Sequence, residues 1–432
     1  MNKTVYTLFL FIFALNTSFA QNVICGHDLV RAKMEKMYPG YQKSVDQTFE
    51  DAKSHSKNLR QPNTIYTIPV VVHVVWKEEE EKIDSSLILS QIEILNDDFQ
   101  RLNEDAVEVR DEFLDVVGNP MITFELQEII YVETEATYDV NIFTGSLPDN
   151  VKFSNQGGSD AVTTETNLNI WICKIQPIEF AGQFGGQLLG YAYPPNDLNN
   201  WPEGAVFPED DYEGVVLDYR TVGSNNPIPI QILPNQVVNL LKGRTAVHEV
   251  GHYLGLRHTW GDADPGFPNS CNVDDGIEDT PNSGIQSMFD CNIYQNSCND
   301  NPGDLPDMIE NFMDSSRETC QNSFTAGQAA LMRGVLETSR CMLVDACQDV
   351  STRQLLKTQI NIQPNPSTGI FNIQSLDVNI SNFGFNLFNS TGINFPIKLN
   401  NGSIDLSNFP SGLYFLQGHN ETHLIQQKLI KM

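Results

Sequence analysis

The sequence predicts an α+β lobe, a mixed sheet with two long helices and a C-terminal loop subdomain, followed by a small all-β sandwich. Three observations predict it. Residues 65–76, IYTIPVVVHVVW, are a nearly continuous β-branched run, which marks a strand buried on both faces. Residues 85–102 and 245–260 carry apolar side chains at helical spacing. Beyond residue 360 the chain breaks into short apolar runs separated by turn dipeptides such as Asn365-Pro366, Asn401-Gly402 and Ser411-Gly412.

The 432 residues leave room for two or three domains and at least one sizeable core. Acidic side chains outnumber basic ones, 55 against 26. A surface of that sign argues against nucleic acid and against anionic membranes as partners. It suits a soluble secreted protein, with most of the charge serving solubility.

Residues 1–20 read as a secretory signal: Lys3, an apolar run over 5–15, and Ser18-Phe19-Ala20 as a small-x-small cleavage site. The apolar run is short for a membrane span and no later segment is long enough, so the mature protein is expected without one. Residues 21–61 are polar and lysine-rich and read as a pro-segment, with Arg60 a candidate activation site. Cys25 and Asp28 near its start are candidates for holding a metal site latent, although Cys25 can equally pair elsewhere. The expected domains are then 62–347, a linker at 348–360, and 361–432.

Within 62–347, His73 lies inside the first strand and reads as a core histidine. Ser85 is a possible cap for the helix over 85–102. Strands are expected over 122–132, 167–173 and 214–219, with a Gly- and aromatic-rich loop over 182–195. Residues 324–338 form a later helix that Thr325 can cap.

Residues 245–260, TAVHEVGHYLGLRHTW, carry the chemistry. His248 and His252 are four apart and share a helix face. Gly255 can adopt a left-handed conformation and end the helix. His258 can then return from a loop as a third ligand. Three neutral imidazoles with a fourth position open describe a catalytic Zn²⁺ site. Glu249 is placed to act as general base toward a metal-activated water that attacks a peptide carbonyl. An extended substrate is expected antiparallel along an edge strand, with 189–193 a candidate edge. Three of only eight histidines stand at this spacing, which leaves little room for an amphipathic helix with incidental surface histidines.

Beyond the helix, Cys271, Cys291, Cys298 and Cys320 sit in a Gly/Asn/Asp/Pro-rich run that lacks a core of its own and needs staples. Asp274, Asp275, Glu278 and Asp279, next to Thr280, can bind Ca²⁺ or stand as solvated charge.

The chain resembles the metzincin zinc peptidases, and within them the pappalysins, the ulilysin and cytophagalysin-like group. The matching residues are IPVVVHVVW at 68–76, GYAYPP at 190–195, HEVGHYLGLRHT at 248–259, DGIEDTP at 275–281 and NFMDSSRETCQNSFTAGQ at 311–328. The resemblance implies a metzincin-type fold cut by an active-site cleft, with endopeptidase activity on proteins or peptides. It implies His248, His252 and His258 as zinc ligands, Glu249 as base, and Met313 as the Met-turn residue that supports the site by packing. It implies the pairs Cys271–Cys298 and Cys291–Cys320, and calcium ligation by Asp275, Asp279 and Thr280. Ser315 stands where relatives often have a tyrosine. Thr319 stands where some relatives carry an acid that selects a basic substrate side chain, with Glu318 one residue earlier.

Residues 361–432 resemble the sorting domain of the type IX secretion system, through QPNPSTGIFNI at 363–373, DLSNFPSGLYFL at 405–416 and the closing QQKLIKM. The resemblance implies export through that machinery and release or surface anchoring. A monomer is the expected state. A rival expectation is a catalytically weakened surface binding protein on a metzincin scaffold, and a weaker one is a metal-dependent amidase.

Overall fold

The computed structural model describes residues 25–57, 59, 63–180, 182–202, 205, 208, 212–261, 270–300, 303–347, 356–357, 360–374, 383–389, 394–397, 399, 402–419 and 423–432. The expected signal at 1–20 and the activation candidate Arg60 lie outside the described residues. Contacts divide the chain into one unit ending at Cys347 and a second beginning at Gln348.

The first unit starts with two helices, α1 (His27–Met37) and α2 (Tyr41–Ser56). The sequence gives no strong apolar period here. Each helix instead buries a narrow stripe, Val30 and Met34 on α1 and Val45, Phe49 and Ala52 on α2. Tertiary packing, rather than propensity, stabilises helices of this kind. Lys53 donates to the carbonyl of Gly276 at 2.6 Å and His55 Nε2 meets Glu337 Oε2 at 2.9 Å.

The central sheet follows. Strand β1 (Tyr66–Trp76) lies between β2 (Ile122–Glu133) and β3 (Leu168–Cys173), parallel to both. Its β-branched run is buried because strands flank it and side chains cover both faces. His73 sits within it as a core residue, bonded to Ser159 at 2.8 Å and Asn169 at 3.0 Å and stacked on Trp171. Helix α3 (Ser85–Phe99) packs on β2, and Asp84, not Ser85, caps it by accepting from the Ser86 N–H at 2.8 Å.

Residues 182–195 are not all loop. Strand β4 (Ile178–Phe180) pairs with β5 (Gln183–Gly186), and β6 (Gly190–Ala192) joins the central sheet as its edge. Strand β7 (Val215–Asp218) runs parallel to β3 and antiparallel to β6. Three-residue strands carry too little periodicity to be read from sequence. The sheet is therefore mostly parallel with one antiparallel edge. Helix α4 (Arg244–Tyr253) packs beneath β6 and β7. Helix α5 (Ala326–Leu336) has Thr325 as its cap, in a reciprocal pair of bonds with Gln328. Disulfides join Cys271 to Cys298, Cys291 to Cys320 and Cys341 to Cys347, while Cys25 and Cys173 carry free thiols.

The second unit holds a five-stranded and a three-stranded sheet around Phe371, Leu387, Leu406, Leu416 and Leu429. Leu356–Lys357 pairs with His423 and Leu424, so part of the expected linker is sheet. Asn365, in the QPNPSTG run, donates to the Lys428 carbonyl at 2.6 Å and accepts from the Ile430 N–H at 2.9 Å, covering the outer edge of the last strand.

Candidate active site

Helix α4 turns its apolar stripe, Ala246, Val247 and Val250, into the main core. That places His248, Glu249 and His252 toward the cleft side, all three buried. The helix ends at Tyr253 with Leu254 as its cap, and Gly255 follows with φ +92°. A side chain there is strained, and its Cβ would lie 3.0 Å from Val335. The reversal returns His258 to the other two histidines.

The three imidazoles converge. His252 Nε2 lies 3.1 Å from His248 Nε2 and 3.2 Å from His258 Nε2. One ligand atom from each, together with Cys25 Sγ, falls within a 4.8 Å sphere of mutual distances. His248 Nδ1 donates to the Phe312 carbonyl at 2.7 Å and His252 Nδ1 to the Leu256 carbonyl at 2.8 Å. A carbonyl only accepts, so both rings carry their proton on Nδ1 and leave Nε2 as a lone pair. Burial holds His248 down to about 4, and holds His252 and His258 well below the usual histidine range. Neutral imidazoles aimed at one point fit a zinc ion's donor set. His258 stacks on Trp260 at 4.2 Å, which fixes its plane.

Met313 lies directly under this helix and is fully buried, and a Cβ placed on Gly251 would come within 2.4 Å of its sulfur. Glu249 is 1% exposed, and burial pushes its carboxyl up to about 8. The Cys25 thiol donates to Glu249 Oε2 at 3.6 Å. Cys25 is held there by strand-like pairing: Gly26 N–H donates to the Gly190 carbonyl at 2.9 Å, and Cys25 bridges Gly190 in parallel. Asp28, the other residue singled out near the start of the pro-segment, is exposed on α1.

His27 had no role in the sequence. Its ring stacks on His252 at 4.1 Å, edge-on to His258, and neither of its buried nitrogens has a hydrogen-bond partner. The only clue was its place between Cys25 and Asp28.

A pocket opens beside Glu249, lined among others by Leu189, Leu240, Phe289, Asp314, Ser315 and Glu318. Asp314 is buried and pushed up to about 7 by burial. Glu318 Oε1 accepts from the backbone N–H groups of Leu241 and Lys242, while the buried Oε2 has no partner. Thr319 is exposed and its hydroxyl lies beside the Cys291 and Cys320 sulfurs.

The 274–280 loop divides its candidate ligands. Thr280 donates to Asp275 at 2.8 Å, and burial pushes Asp275 well above the carboxylate range. Asp279 instead accepts from the Gly327 N–H at 2.7 Å, leaving its buried Oδ1 without a partner.

Comparison with known proteins places these features in a family. Residues 234–337 match the peptidase M43 family described as pregnancy-associated plasma protein-A. Residues 361–432 match the secretion system C-terminal sorting domain. An extracellular metalloprotease of Pyricularia oryzae is 30% identical over 192 residues, which is 44% of this chain and 58% of that protein. The chain thus spans less than two thirds of that relative's length. Among solved structures, a point mutant of Tannerella forsythia promirolysin is 31% identical with a TM-score of 0.58, covering 75% of this chain and 98% of that one. Mature mirolysin of the same organism, in complex with a cleaved peptide, is 33% identical with a TM-score of 0.53, covering 67% of this chain and 100% of that one.

Proposed function

The chain belongs to the pappalysin family of metalloproteases and carries a type IX secretion sorting domain, and on that footing we propose that it is a secreted zinc-dependent endopeptidase made as a latent precursor. One observation carries this proposal: three neutral imidazoles present Nε2 to one point, with the Glu249 carboxyl beside them.

His248, His252 and His258 would hold the zinc. When bound, zinc supplies Lewis-acid charge that acidifies water and polarises a carbonyl. Glu249 accepts the proton from the attacking water and returns it to the leaving amine. Burial raises its carboxyl toward neutral pH, where a base is also a good proton donor to the amine, and a nearby cation would favour the carboxylate needed before the attack. Gly190 to Ala192, the edge of the sheet that the Cys25 segment would vacate on processing, would bind an extended peptide antiparallel. Ser315 lines the pocket where a tyrosine would otherwise help, so less stabilisation comes from that side.

Latency follows from the precursor's own contacts. Cys25 offers its sulfur as a fourth donor and also engages Glu249. It runs along β6 in the parallel sense, opposite to the direction expected of a substrate. In the pocket, the unpartnered oxygen of Glu318 supports a preference for a basic substrate side chain. Calcium in the 274–280 loop is part of the same proposal, with Asp279 Oδ1 as its open donor.

The test is proteolysis of casein by the processed, zinc-loaded protein, with and without a chelator. Cleavage that the chelator stops, and that Glu249→Ala lowers by roughly 10²–10⁴-fold, is expected. A folded, zinc-loaded sample that cleaves neither casein nor a peptide library would instead favour a binding protein on a retained scaffold.

A further inference from the structure

Strand β6 passes directly over the proposed base, since a Cβ on Gly190 would fall 3.0 Å from Glu249 Cγ. A shift in this strand would therefore move a bound peptide relative to Glu249. Yet β6 is three residues long and its one ladder is with β7; on its other side, among the described residues, only Cys25 bridges Gly190, from the segment expected to be removed on activation. Three ladder positions, with one backbone bond beyond each end (Asp218 N–H to the Leu189 carbonyl at 2.8 Å, Tyr193 N–H to the Gly214 carbonyl at 3.2 Å), are a short hold for an edge strand.

Asp149 supplies another. It opens a short turn, Asp149–Lys152, and is 4% exposed. Tyr191 donates its hydroxyl to Oδ1 at 3.0 Å, and Tyr193 donates to Oδ2 at 2.8 Å. These tyrosines are two apart, so they leave the strand on the same face. One carboxylate thus fixes two successive inward positions. Lys152, itself buried, lies with its ammonium 3.7 Å from Oδ1, and Lys33 on α1 donates to Oδ2. Burial pushes this carboxyl up, but Lys152 and Lys33 outweigh it and hold it below the usual range. It is therefore an anion, a stronger acceptor for two phenols than a neutral acid.

We propose that Asp149 is a positioning residue for peptide cleavage, holding the substrate-binding edge strand in register through Tyr191 and Tyr193. The proposal rests on the endopeptidase function above. Lys33 belongs to the segment expected to be removed on activation. Its departure leaves the carboxylate paired with Lys152 and both hydroxyls, so the strand keeps its support in the mature enzyme. Asp149 does not touch substrate, and its effect must scale with how much of the strand a substrate uses.

Two measurements test this on the processed, zinc-loaded enzyme and on its Asp149→Asn variant. The first compares kcat and KM for short and long fluorogenic peptides that share one scissile bond. In the variant the advantage of the long peptide, read in kcat/KM, is expected to shrink by about tenfold, within the roughly 100-fold that a 1 Å misplacement can cost. An unchanged long-to-short ratio overturns the proposal. The second follows amide hydrogen exchange over 189–193, which must accelerate in the variant, and unchanged exchange overturns it whatever the activity. If Asp149→Asn does not fold, the double variant Tyr191→Phe, Tyr193→Phe, which leaves the Asp149–Lys152 pair intact, is read in the same two ways. A wild-type enzyme that cleaves no peptide sinks the endopeptidase function, and the exchange measurement then still decides whether Asp149 holds the strand.

Discussion

Sγ of Cys25 lies 3.6 Å from Oε2 of Glu249 and shares a small sphere with the ring nitrogens of three histidines. One thiol therefore engages both halves of the proposed machinery, the metal donors and the base. Burial, then the charge of Glu249, push that thiol well above its usual range. A bound cation reverses that balance and favours the thiolate.

The first prediction concerns this contact. The unprocessed precursor is expected to be inactive on a fluorogenic peptide, and its Cys25→Ala variant to be active. Removing the thiol frees Glu249 of a contact worth about 1.5–3 kcal/mol for a hydrogen bond to a charged group, so a gain of roughly tenfold or more is expected. Intact mass must show that neither sample has been processed. An inactive, unprocessed Cys25→Ala precursor would place latency elsewhere in the 25–57 segment.

A second prediction sets two effects of opposite sign against each other. Gly251 lies inside α4, where alanine would normally stabilise a helix by about 1 kcal/mol. Here the added Cβ would lie 2.4 Å from the sulfur and 3.3 Å from the terminal carbon of Met313, which is fully buried. Overpacking a core costs about 1–3 kcal/mol and should win. Gly251→Ala is therefore expected to lower stability in urea unfolding and to weaken zinc retention in a chelator competition. A more stable variant would show that Met313 has room to move.

How much of this was legible follows from which interactions are local. The convergence of His248, His252 and His258 was readable because the three lie within eleven residues and their spacing has geometric meaning. Strand β1 was readable because burial on both faces leaves an uninterrupted apolar run. The helical fold of 27–56 was not. Its buried stripe is narrow, and its partners, Gly276, Glu337 and Asp149, are more than a hundred residues away. The carboxylate under β6 was invisible for the same reason: Asp149 and Tyr191 are 42 residues apart and no local pattern links them. The calcium candidates show the converse, since Asp275 and Asp279 are close in sequence but turn to different partners.

The third prediction concerns substrate choice. Glu318 has one carboxylate oxygen tied to two backbone N–H groups and the other buried without a partner. A guanidinium or ammonium entering the pocket would satisfy it. Glu318→Gln keeps the shape and removes the charge. In a peptide-library digest the variant should lose about tenfold or more of its preference for basic over neutral side chains, since a missing polar partner discriminates strongly. An identical cleavage profile would remove Glu318 from specificity and point to Asp314.

The fourth prediction concerns Asp314 and pH. Its oxygens accept from the N–H groups of Ser287 at 3.3 Å and Ser316 at 3.1 Å, yet burial still pushes the carboxyl up to about 7. In the unfolded chain the same group titrates near 3.9. The folded state thus binds this proton more tightly. Its contribution to stability is complete below pH ~4 and is lost as pH rises through about 7. The amount at stake is on the order of a few kcal/mol. Other groups raised by burial, Asp98 to about 6 among them, tilt the wild-type curve in the same direction. Comparison with Asp314→Asn cancels them. The variant has no proton to lose at this position, and any cost of its amide is constant with pH. Its melting temperature relative to wild type should therefore rise steadily between pH 4 and pH 8, both proteins being zinc-loaded and at equal concentration. Parallel melting curves across that range would mean that Asp314 titrates as an ordinary, hydrated carboxylate, and that the pocket beside Glu249 admits water more freely than its burial indicates.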